Sequence, residues 1–281
     1  NEIYRTGREF MLFCEMNPLF YAISVRKETI KRNARDFFGK AVFAKEKTYA
    51  KLPVIVSEKS VNMIKRLPGV DIATQEGKAV NIALAAERIN GLVIHPGETF
   101  SFWRTVGSTT AAKGYKVGRI IEKNKLVTGI GGGLCNLGNV INLLVLQSPM
   151  KITEFHMHSD ALSPDEGRRE PLSSGTSVCY NYVDYRFENT ADCDVQLCVY
   201  CEGEILHAEL RSKKEFPCLY ALAEENHRFT EENGKFYRCS EIYRVAHGAD
   251  GTVTKELFVK NHSEVMYDYA LIPRELITEK R

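Results

Sequence analysis

The chain has 281 residues, of which 44% are hydrophobic and 26% are charged. This composition is typical of a globular protein, so it excludes disordered, collagen-like and coiled-coil chains. No stretch reaches the roughly 18–20 consecutive apolar residues that a membrane-spanning helix needs. The net charge is +2, yet residues 1–51 hold 11 basic and 6 acidic side chains. The excess of positive charge is therefore concentrated at the start of the chain.

This basic start of the chain bears on partners and location. Basic segments can contact anionic lipid or nucleic acid, but the interspersed acidic residues here favour a solvated helix face. We predict no nucleic-acid partner and keep peripheral membrane contact by this segment as an alternative. Phe10–Ala22 is the stretch most similar to a signal peptide, but Glu15 and Pro18 interrupt its apolar run. We therefore expect a cytoplasmic protein whose eight cysteines are reduced.

The first hundred residues alternate between helical and extended patterns. Ile23, Ile30 and Phe37 recur at helical spacing, with charged residues between them, which predicts an amphipathic helix. Asn90-Gly91 is a typical helix end and is followed by an apolar run. The elements predicted here are a helix over residues 20–47, a helix over Lys78–Ile89, and strands over Leu92–Ile94 and Thr99–Trp103.

The later part of the chain contains one apolar helix and many strands. Leu134–Gln147 is nearly free of charge, which predicts a helix buried on most sides. Asn233-Gly234 and Asp250-Gly251 are strong hairpin signals. The strands predicted here lie over Lys151–His158, Val178–Phe187, Val195–Tyr200 and Glu204–Arg211 and on both sides of each hairpin turn.

These elements predict an α+β fold with helices early, a buried central helix after a glycine-rich loop, and a C-terminal antiparallel β meander. We predict three parts. They are a basic helical lead-in over residues 1–70, a core domain over 71–216, and a hairpin-rich extension over 217–281 that packs on the core.

The segment Gly129–Asn139, GIGGGLCNLGN, is the strongest candidate for chemistry. Glycines before a helix leave N–H groups free for an anion or a developing oxyanion. Cys135 falls in the first turn of the predicted helix, where the positive helix end favours a thiolate. We therefore expect a nucleophilic Cys135 with a lowered pKa, and N–H groups around Gly131, Gly132, Gly133 and Leu134 that hold the oxyanion. The alternatives are a phosphate-cradling loop and a tight turn with a buried cysteine.

A cysteine nucleophile needs a base, and the segment EFHMHSD supplies candidates. His156 and His158 would share one face of a strand, and Asp160 is a carboxylate that can orient an imidazole. Cys135 with both histidines also forms an alternative zinc site, although we expect no cofactor. Cys198 and Cys201 have the C-x-x-C spacing, but they lie in a predicted strand, where residues three apart face opposite sides. It predicts neither a redox disulfide nor a shared metal.

Three segments resemble the VanW family. They are HPGETFSFWRTVG (95–107), GYKVGRIIEKNKLVTGIGGGLCNLGN (114–139) and VDYRFENTAD (183–192). The resemblance is close over roughly residues 75–200, and the E-T-F-S-F and G-G-G-x-C motifs are specific. The family is associated with vancomycin B-type resistance clusters and occurs in many Gram-positive cell-surface proteins.

The resemblance also implies a chemistry. Some exported relatives are regarded as L,D-transpeptidases that cross-link peptidoglycan stem peptides through the cysteine, which would make Cys135 the acyl-enzyme nucleophile. The family histidine corresponds to His158, which is followed here by Ser159, as in many relatives. The family usually has Gln after the cysteine and Ser two positions later, where this chain has Asn136 and Gly138. The shorter Asn136 side chain would reach an oxyanion differently.

The leading hypothesis is therefore cysteine-dependent acyl transfer on peptidoglycan peptides or related amides. We expect Arg119 to bind a substrate carboxylate in the same cleft as Cys135. The residues expected to line the cleft are Glu98, Thr99, Ser101 and Trp103. One alternative is a non-catalytic module that binds a cell-wall peptide or precursor. Another is a metal-dependent hydrolase that uses Cys135, His156 and His158.

Overall fold

The computed structural model describes residues 18–66, 71–122, 125–157, 160–161, 164, 175–180 and 183–278. Two compact units are present, Asn1–Ala41 and Val42–Arg281. The described helices are α1 (Pro18–Phe38), α2 (Ile72–Ile89), α3 (Phe102–Val106) and α4 (Leu134–Leu146). None of these described helices is long and apolar enough to cross a membrane.

The strands of the described residues complete an α+β fold, as predicted. They are β1 (Val42–Phe43), β2 (Val54–Asn62), β3 (Leu92–Ile94), β4 (Glu98–Ser101), β5 (Val117–Glu122), β6 (Lys125–Ile130), β7 (Lys151–Glu154), β8 (Asp160–Ala161), β9 (Arg186–Glu188), β10 (Val195–Glu202), β11 (Ile205–Ser212), β12 (Cys218–Glu232), β13 (Lys235–Gly248), β14 (Val253–Val265) and β15 (Ile277–Thr278). Their sheet orders are β1-β4-β9-β7, β2-β11-β10-β3 and β15-β12-β13-β14-β8, and β5 pairs with β6 alone.

The first unit contains α1. This helix begins at Pro18, and proline suits the first helical turn because an N–H there would have no partner in the helix. The predicted extension of this helix to residue 47 is wrong, because it ends at Phe38 and Gly39 follows. Ile30 and Phe37 on its apolar face are 60% and 83% exposed. The apolar face that the spacing indicates is therefore accessible at these positions.

In the second unit, α2 begins six residues before the predicted start at Lys78. Asp71 caps it, because its Oδ1 accepts a hydrogen bond from the N–H of Ala73 at 3.1 Å. It ends at Ile89, before the predicted Asn90-Gly91 stop, and Gly91 has a φ of +79°. Ile82, on its buried face, is fully covered. The end of the helix was thus predictable, while its first turns lack the apolar pattern that marks the rest.

The centre of the second unit is α4, which confirms the predicted buried helix. Leu137, Ile141 and Leu144 have no exposed surface. The helix packs against α2 and against strands β2 and β11. Leu143 and Leu146 are also buried, in a smaller cluster with Ile242 of β13. A helix without charge is covered on opposite sides by different elements.

Three of the predicted strands are corrected by the structure. The strand expected over residues 99–103 ends at Ser101, whose Oγ accepts from the N–H of Arg104 and begins α3. The strand expected over 151–158 ends at Glu154. Of the strand expected over 178–187, only the last residues form β9. In the last case, described residues with buried side chains, such as Val178 and Tyr185, lie outside regular strands. An alternating pattern of apolar residues does not by itself distinguish such segments from strands.

The C-terminal meander is confirmed. β12, β13 and β14 are antiparallel neighbours. Asn233 and Gly234 join the first two strands with φ values of +56° and +77°, as a two-residue hairpin turn requires. β8 adds to one edge of this sheet and β15 to the other, each in parallel over two residue pairs. The compact units divide after Ala41, and the boundaries expected after residues 70 and 216 stay predictions.

Candidate functional site

A glycine loop joins β6 to α4. Gly131 and Gly133 have φ values of +78° and +92°, which residues with a side chain rarely adopt. The N–H groups of Gly131 and Gly132 donate to backbone carbonyls, so these two predicted oxyanion donors are occupied. Among the described residues, the N–H groups of Gly133 and Leu134 have no acceptor. Two unpaired amides therefore remain at the start of α4.

Close backbone contacts hold this loop in place. A Cβ on Gly118 of β5 would lie 2.6 Å from the carbonyl oxygen of Gly132. A Cβ on Gly77 of α2 would collide with the carbonyl oxygen of Val117. The buried amide of Asn81 donates to Gly132 O at 2.9 Å. Glycines on three elements thus let α2, β5 and the loop approach one another more closely than side chains would allow.

Cys135 lies in the first turn of α4, as predicted. Its Sγ lies 3.5 Å from Val178 N, which donates to it, and 3.6 Å from Val178 O, which accepts from it. Burial raises the pKa of the Cys135 thiol to about 11, although the N–H of Val178 opposes this shift. The lowered pKa expected from the sequence is therefore wrong for this structure. Cys135 is partly exposed as a residue, but desolvation of its thiol is the largest cause of the shift.

Residues 175–180 cover the thiol. A Cβ on Gly138 of α4 would lie 3.3 Å from Cγ1 of Val178, so the glycine leaves room for this segment. Cys179 is close enough for its charge to affect the Cys135 thiol. The ring of Tyr180 packs edge-on against Trp103, with 5.5 Å between ring centroids. Tyr180 thus anchors the segment after Val178, and a hydrogen bond from the N–H of Ser177 anchors it before Val178.

His156 lies beside the covering segment, but its ring is paired elsewhere. Its carbonyl oxygen accepts from the N–H of Ser177 at 2.6 Å. Its Nε2 lies 2.9 Å from Oε1 of Glu154. Glu154 therefore orients this imidazole, a role the sequence analysis gave to Asp160. The E-x-H spacing is the signal that was missed, since alternate residues of an extended segment share a face.

Other predicted site residues fall where the structure gives no side-chain description. His158 and Ser159 lie outside the described residues. The backbone of Asp160 belongs to β8 and pairs with Glu264 of β14, but its side chain also lies outside them. The assignment of His158 as the base therefore stays a prediction.

A buried polar network continues from Glu154 and was also missed. Nε of Arg186 lies 2.7 Å from Oδ2 of Asp184 and 3.5 Å from Oε2 of Glu154. Asp184 is 1% exposed, and it also accepts from Ser101 Oγ at 2.5 Å and from Trp103 N at 3.0 Å. The network fixes α3, β9 and the residue that holds His156. The signal was the acidic and basic pair that flanks a tyrosine in D-Y-R.

The residues expected to wall an open cleft are mostly interior. Thr99 and Trp103 are 6% and 5% exposed, and Ser101 is 2% exposed. Glu98 accepts from the N–H of His95 at 2.9 Å and closes the turn before β4. The polar atoms of these residues form hydrogen bonds within the protein, so the residues pack behind the site and do not line an open cleft.

Asn136, which replaces the usual glutamine, follows Cys135 in the first turn of α4. Its N–H donates to Gly133 O at 3.1 Å. Its side-chain Oδ1 is buried without a hydrogen-bond partner. An amide with an unused oxygen is a costly arrangement in a protein interior. The first turn therefore carries unmet hydrogen-bonding capacity next to the thiol.

Lys78 is a further residue of the site that the sequence analysis missed. Its side chain packs against Gly133, where an added Cβ would collide with the lysine Cγ. Burial, together with the smaller effects of the charges of Lys65 and Arg119, lowers the pKa of Lys78 to about 8. The structure thus brings Arg119 near the glycine loop. The signal was available, because Lys78 lies four residues before Ile82 on the buried face of α2.

Among the described residues, no group of three or more His, Cys, Asp and Glu side chains could hold a metal ion. The zinc alternative includes His158, which lies outside them, and stays a prediction. One cavity of about 380 Å³ is lined partly by Lys51 and Tyr200, and one of about 300 Å³ partly by Lys47 and Arg88. Neither cavity contains the thiol of α4.

Comparison with known proteins decides the family. The family model described as VanW like protein matches residues 77–211. The Vancomycin B-type resistance protein VanW of Enterococcus faecalis is 30% identical over 218 residues, which cover 77% of this chain and 79% of that relative. The chain belongs to the VanW family. This confirms the resemblance that the motifs carry.

A second relative covers a smaller part of the chain. The uncharacterized protein YoaR of Bacillus subtilis is 32% identical over 117 residues, which are 42% of this chain and 37% of that protein. No solved structure matches the chain. The stretch matched by the VanW model begins at Gly77 and runs through β11. It includes the glycine loop, Cys135 and the Glu154–Arg186 network, and it ends before the C-terminal meander.

Proposed function

We propose that this VanW-family protein catalyses cysteine-dependent acyl transfer on peptidoglycan stem peptides or related amides. The observation that carries the proposal is Cys135 in the first turn of α4, next to the unpaired amides of Gly133 and Leu134. A thiol beside free N–H donors is the arrangement that acyl transfer needs. The name of the Enterococcus faecalis relative, a vancomycin resistance protein, supports a substrate in the cell wall.

The proposed reaction has two steps. In the first, Sγ of Cys135 attacks the carbonyl carbon of an amide, and the amides of Gly133 and Leu134 stabilise the oxyanion. The C–N bond breaks, and the leaving amine takes the thiol proton through an imidazole of the 156–158 segment. In the second, an acceptor amine or water attacks the thioester. This step forms the new amide or acid and returns the proton to the thiol.

The structure corresponds to a resting state in this proposal. The thiol is protonated at neutral pH because its pKa is about 11. The backbone of Val178 occupies both hydrogen-bonding directions of Sγ. Reaction therefore requires residues 175–180 to move away, which hydrates the thiol and lowers the cost of forming a thiolate. His156 adjoins this segment, so in this proposal the same movement would open the region between its imidazole and the thiol.

The direct test is detection of the acyl-enzyme. The protein is incubated with peptidoglycan stem peptides, and the intact mass of the chain is followed with time. We expect a mass increase of one acyl group that is absent in Cys135→Ser. The matched control is Cys218→Ser, at a partly buried cysteine in β12 of the meander, and this variant should retain the adduct. Absence of adduct and of product with every stem peptide would contradict the proposal.

A second candidate function is binding of a cell-wall peptide without catalysis. The buried, protonated thiol is the specific observation that favours it. In that case peptide binding would be unchanged in Cys135→Ser, and no adduct would form with the native chain. Catalysis predicts both the adduct and its loss on substitution. The mass measurement and a binding titration on the same two proteins separate the two functions.

A further inference from the structure

Two lysines share one anchor beside the glycine loop. Nζ of Lys78 donates to Oε1 of Gln75 at 2.7 Å, and the backbone N–H of Lys65 donates to the same oxygen at 3.2 Å. Gln75 is 4% exposed, so this anchor is interior. The aliphatic part of Lys78 covers Gly133, which precedes the helix that carries Cys135. The lysine ammonium is therefore held in a defined position near the start of α4.

Arg119 reaches the same region from β5. A Cβ on Gly132 would lie 2.8 Å from the backbone nitrogen of Arg119, so the backbone of Arg119 lies directly beside the loop. Its charge acts on Lys78, as does that of Lys65. Lys65, which follows β2, Lys78 of α2 and Arg119 of β5 thus lie near one another beside the glycine loop.

This cluster has no counter-charge in the described part of the chain. No carboxylate there forms an ion pair with Lys65, Lys78 or Arg119. By contrast, the buried Arg186 has two carboxylates. The ammonium of Lys78 is partly desolvated, and its pKa falls to about 8 by burial and by the two neighbouring cations. A partly desolvated ammonium near two other cations is destabilised unless an anion offsets the repulsion.

We propose that Lys65, Lys78 and Arg119 form a binding site for a carboxylate of the peptide substrate. A guanidinium matches a carboxylate with two parallel hydrogen bonds, and an ammonium adds a charged donor. The Lys78 side chain packs against Gly133, so this cluster lies next to the N–H groups proposed to hold the oxyanion. The peptide nature of the ligand rests on the proposed function, whereas carboxylate binding itself does not require Cys135. The site selects peptides that carry a free carboxylate near the amide that reacts.

The first experiment measures binding to the full chain. The probes are N-acetyl-alanyl-alanine with a free C-terminal carboxylate and the same dipeptide as a C-terminal amide, titrated at constant ionic strength. Loss of one charge-assisted contact corresponds to about tenfold in affinity, so the free acid should bind at least about tenfold more tightly than the amide. Inorganic phosphate is titrated as a competitor. Phosphate that binds more tightly than the free acid would overturn the carboxylate assignment.

The second experiment uses variants of the cluster. Lys78→Met and Arg119→Gln should each weaken binding of the free acid by about tenfold and leave binding of the amide unchanged. Lys151→Gln, on the exposed start of β7, is the control and should bind as the native chain does. Native binding in both cluster variants would overturn the proposal. If Lys78→Met does not fold, Arg119→Gln carries the same test from another element.

The pH dependence provides an independent measurement. The charged groups that act on Lys78 are Lys65 and Arg119. Free-acid affinity should fall as the pH rises through about 8, because Lys78 loses its proton. Lys78→Arg should retain its affinity to pH 9. A native chain with constant affinity from pH 6 to 9 would exclude Lys78 from the site.

Failure of this site and failure of acyl transfer give different results. If Cys135→Ser binds the free acid as the native chain does and no acyl-enzyme forms, the carboxylate site stands without catalysis. If the acyl-enzyme forms equally with the free acid and with the amide, catalysis stands and the carboxylate site is wrong.

Discussion

The α4 region and the C-terminal meander achieve stability by different means. α4 is apolar and enclosed, and the loop before it touches β5 through Gly118 and Gly132 without side chains between them. The meander consists of long ladders with charged pairs on its surface, such as Lys255 with Glu225 and Lys235 with Glu264. The residues proposed for function lie in the first region. The proposed chemistry therefore depends on backbone positions with no spare volume, whereas the charged pairs of the meander are exposed to solvent.

The largest contrast is expected between buried and exposed charge. Asp184→Ala removes the carboxylate nearest to the buried Arg186, and breaking such a pair costs about 3–5 kcal/mol. Lys255→Gln in the meander should change stability by no more than about 0.5 kcal/mol. Urea unfolding followed by circular dichroism measures both. Equal effects of the two substitutions would show that the regions do not differ.

The Cys135 thiol should react slowly in the folded chain. Its pKa rises from 9.0 to about 11 on burial, so the thiolate fraction near neutral pH is about a hundredfold lower than in unfolded protein. Alkylation of Cys135, followed by peptide mass spectrometry, should accelerate up to about pH 11. The unfolded chain loses the proton first, so this thiol makes stability fall as the pH rises from 9 to 11. A folded-state rate that levels off below pH 9 would contradict the burial.

A smaller effect is expected from adding a methyl group to the backbone contacts. Gly118→Ala places a Cβ 2.6 Å from the carbonyl oxygen of Gly132, and such overpacking costs about 1–3 kcal/mol. It should also reduce the proposed acyl transfer, because it displaces the loop. Gly251→Ala in the meander meets no atom within 4 Å, although its φ is +82°. Its cost should be about 1 kcal/mol, from backbone strain alone, and activity should be unaffected.

The smallest effect is expected at the tip of the meander. Asn233 has a φ of +56° in the two-residue turn between β12 and β13. Replacing it with Ala should cost about 0.5–1 kcal/mol, because asparagine tolerates this conformation better than alanine. Asn233→Gly should be close to neutral. A thermal unfolding scan of the two variants side by side distinguishes backbone strain from loss of a side-chain contact.

The sequence predicted the elements whose pattern is strong and local. The charge-free run of α4 and the Asn-Gly turn can be recognised from the sequence, because burial and positive φ each restrict the residue types allowed. The end of α1 and the helix α3 were not predicted, because tertiary contacts decide short or frayed segments. Motif spacing located Cys135 in its turn. It could not show that Val178, from a distant part of the chain, covers the thiol.

The site partners were harder to predict for a related reason. Glu154 contacts His156 because they alternate along one segment, and this pair was available from spacing. Lys78 reaches Gly133 only after α2 packs on β5, through a contact that depends on Gly77. The place of Lys78 on the buried face of α2 has a local sequence signal, but its long-range contact with Gly133 has none. Such long-range contacts also determine the electrostatics of the proposed site.

The edges of the C-terminal sheet differ from the long, bare edges to which a second chain can add. Long edge strands expose unpaired N–H and C=O groups, to which a second chain can add. Here β15 covers Phe229 and Thr230 of one edge strand, and β8 covers part of the other. Much of the remaining edge of β14 carries charge, as at Lys255, Glu256 and Lys260. A strand from another molecule would have to bury these charges against its own backbone. Charge and the short covering strands thus disfavour edge-to-edge pairing of this five-stranded sheet.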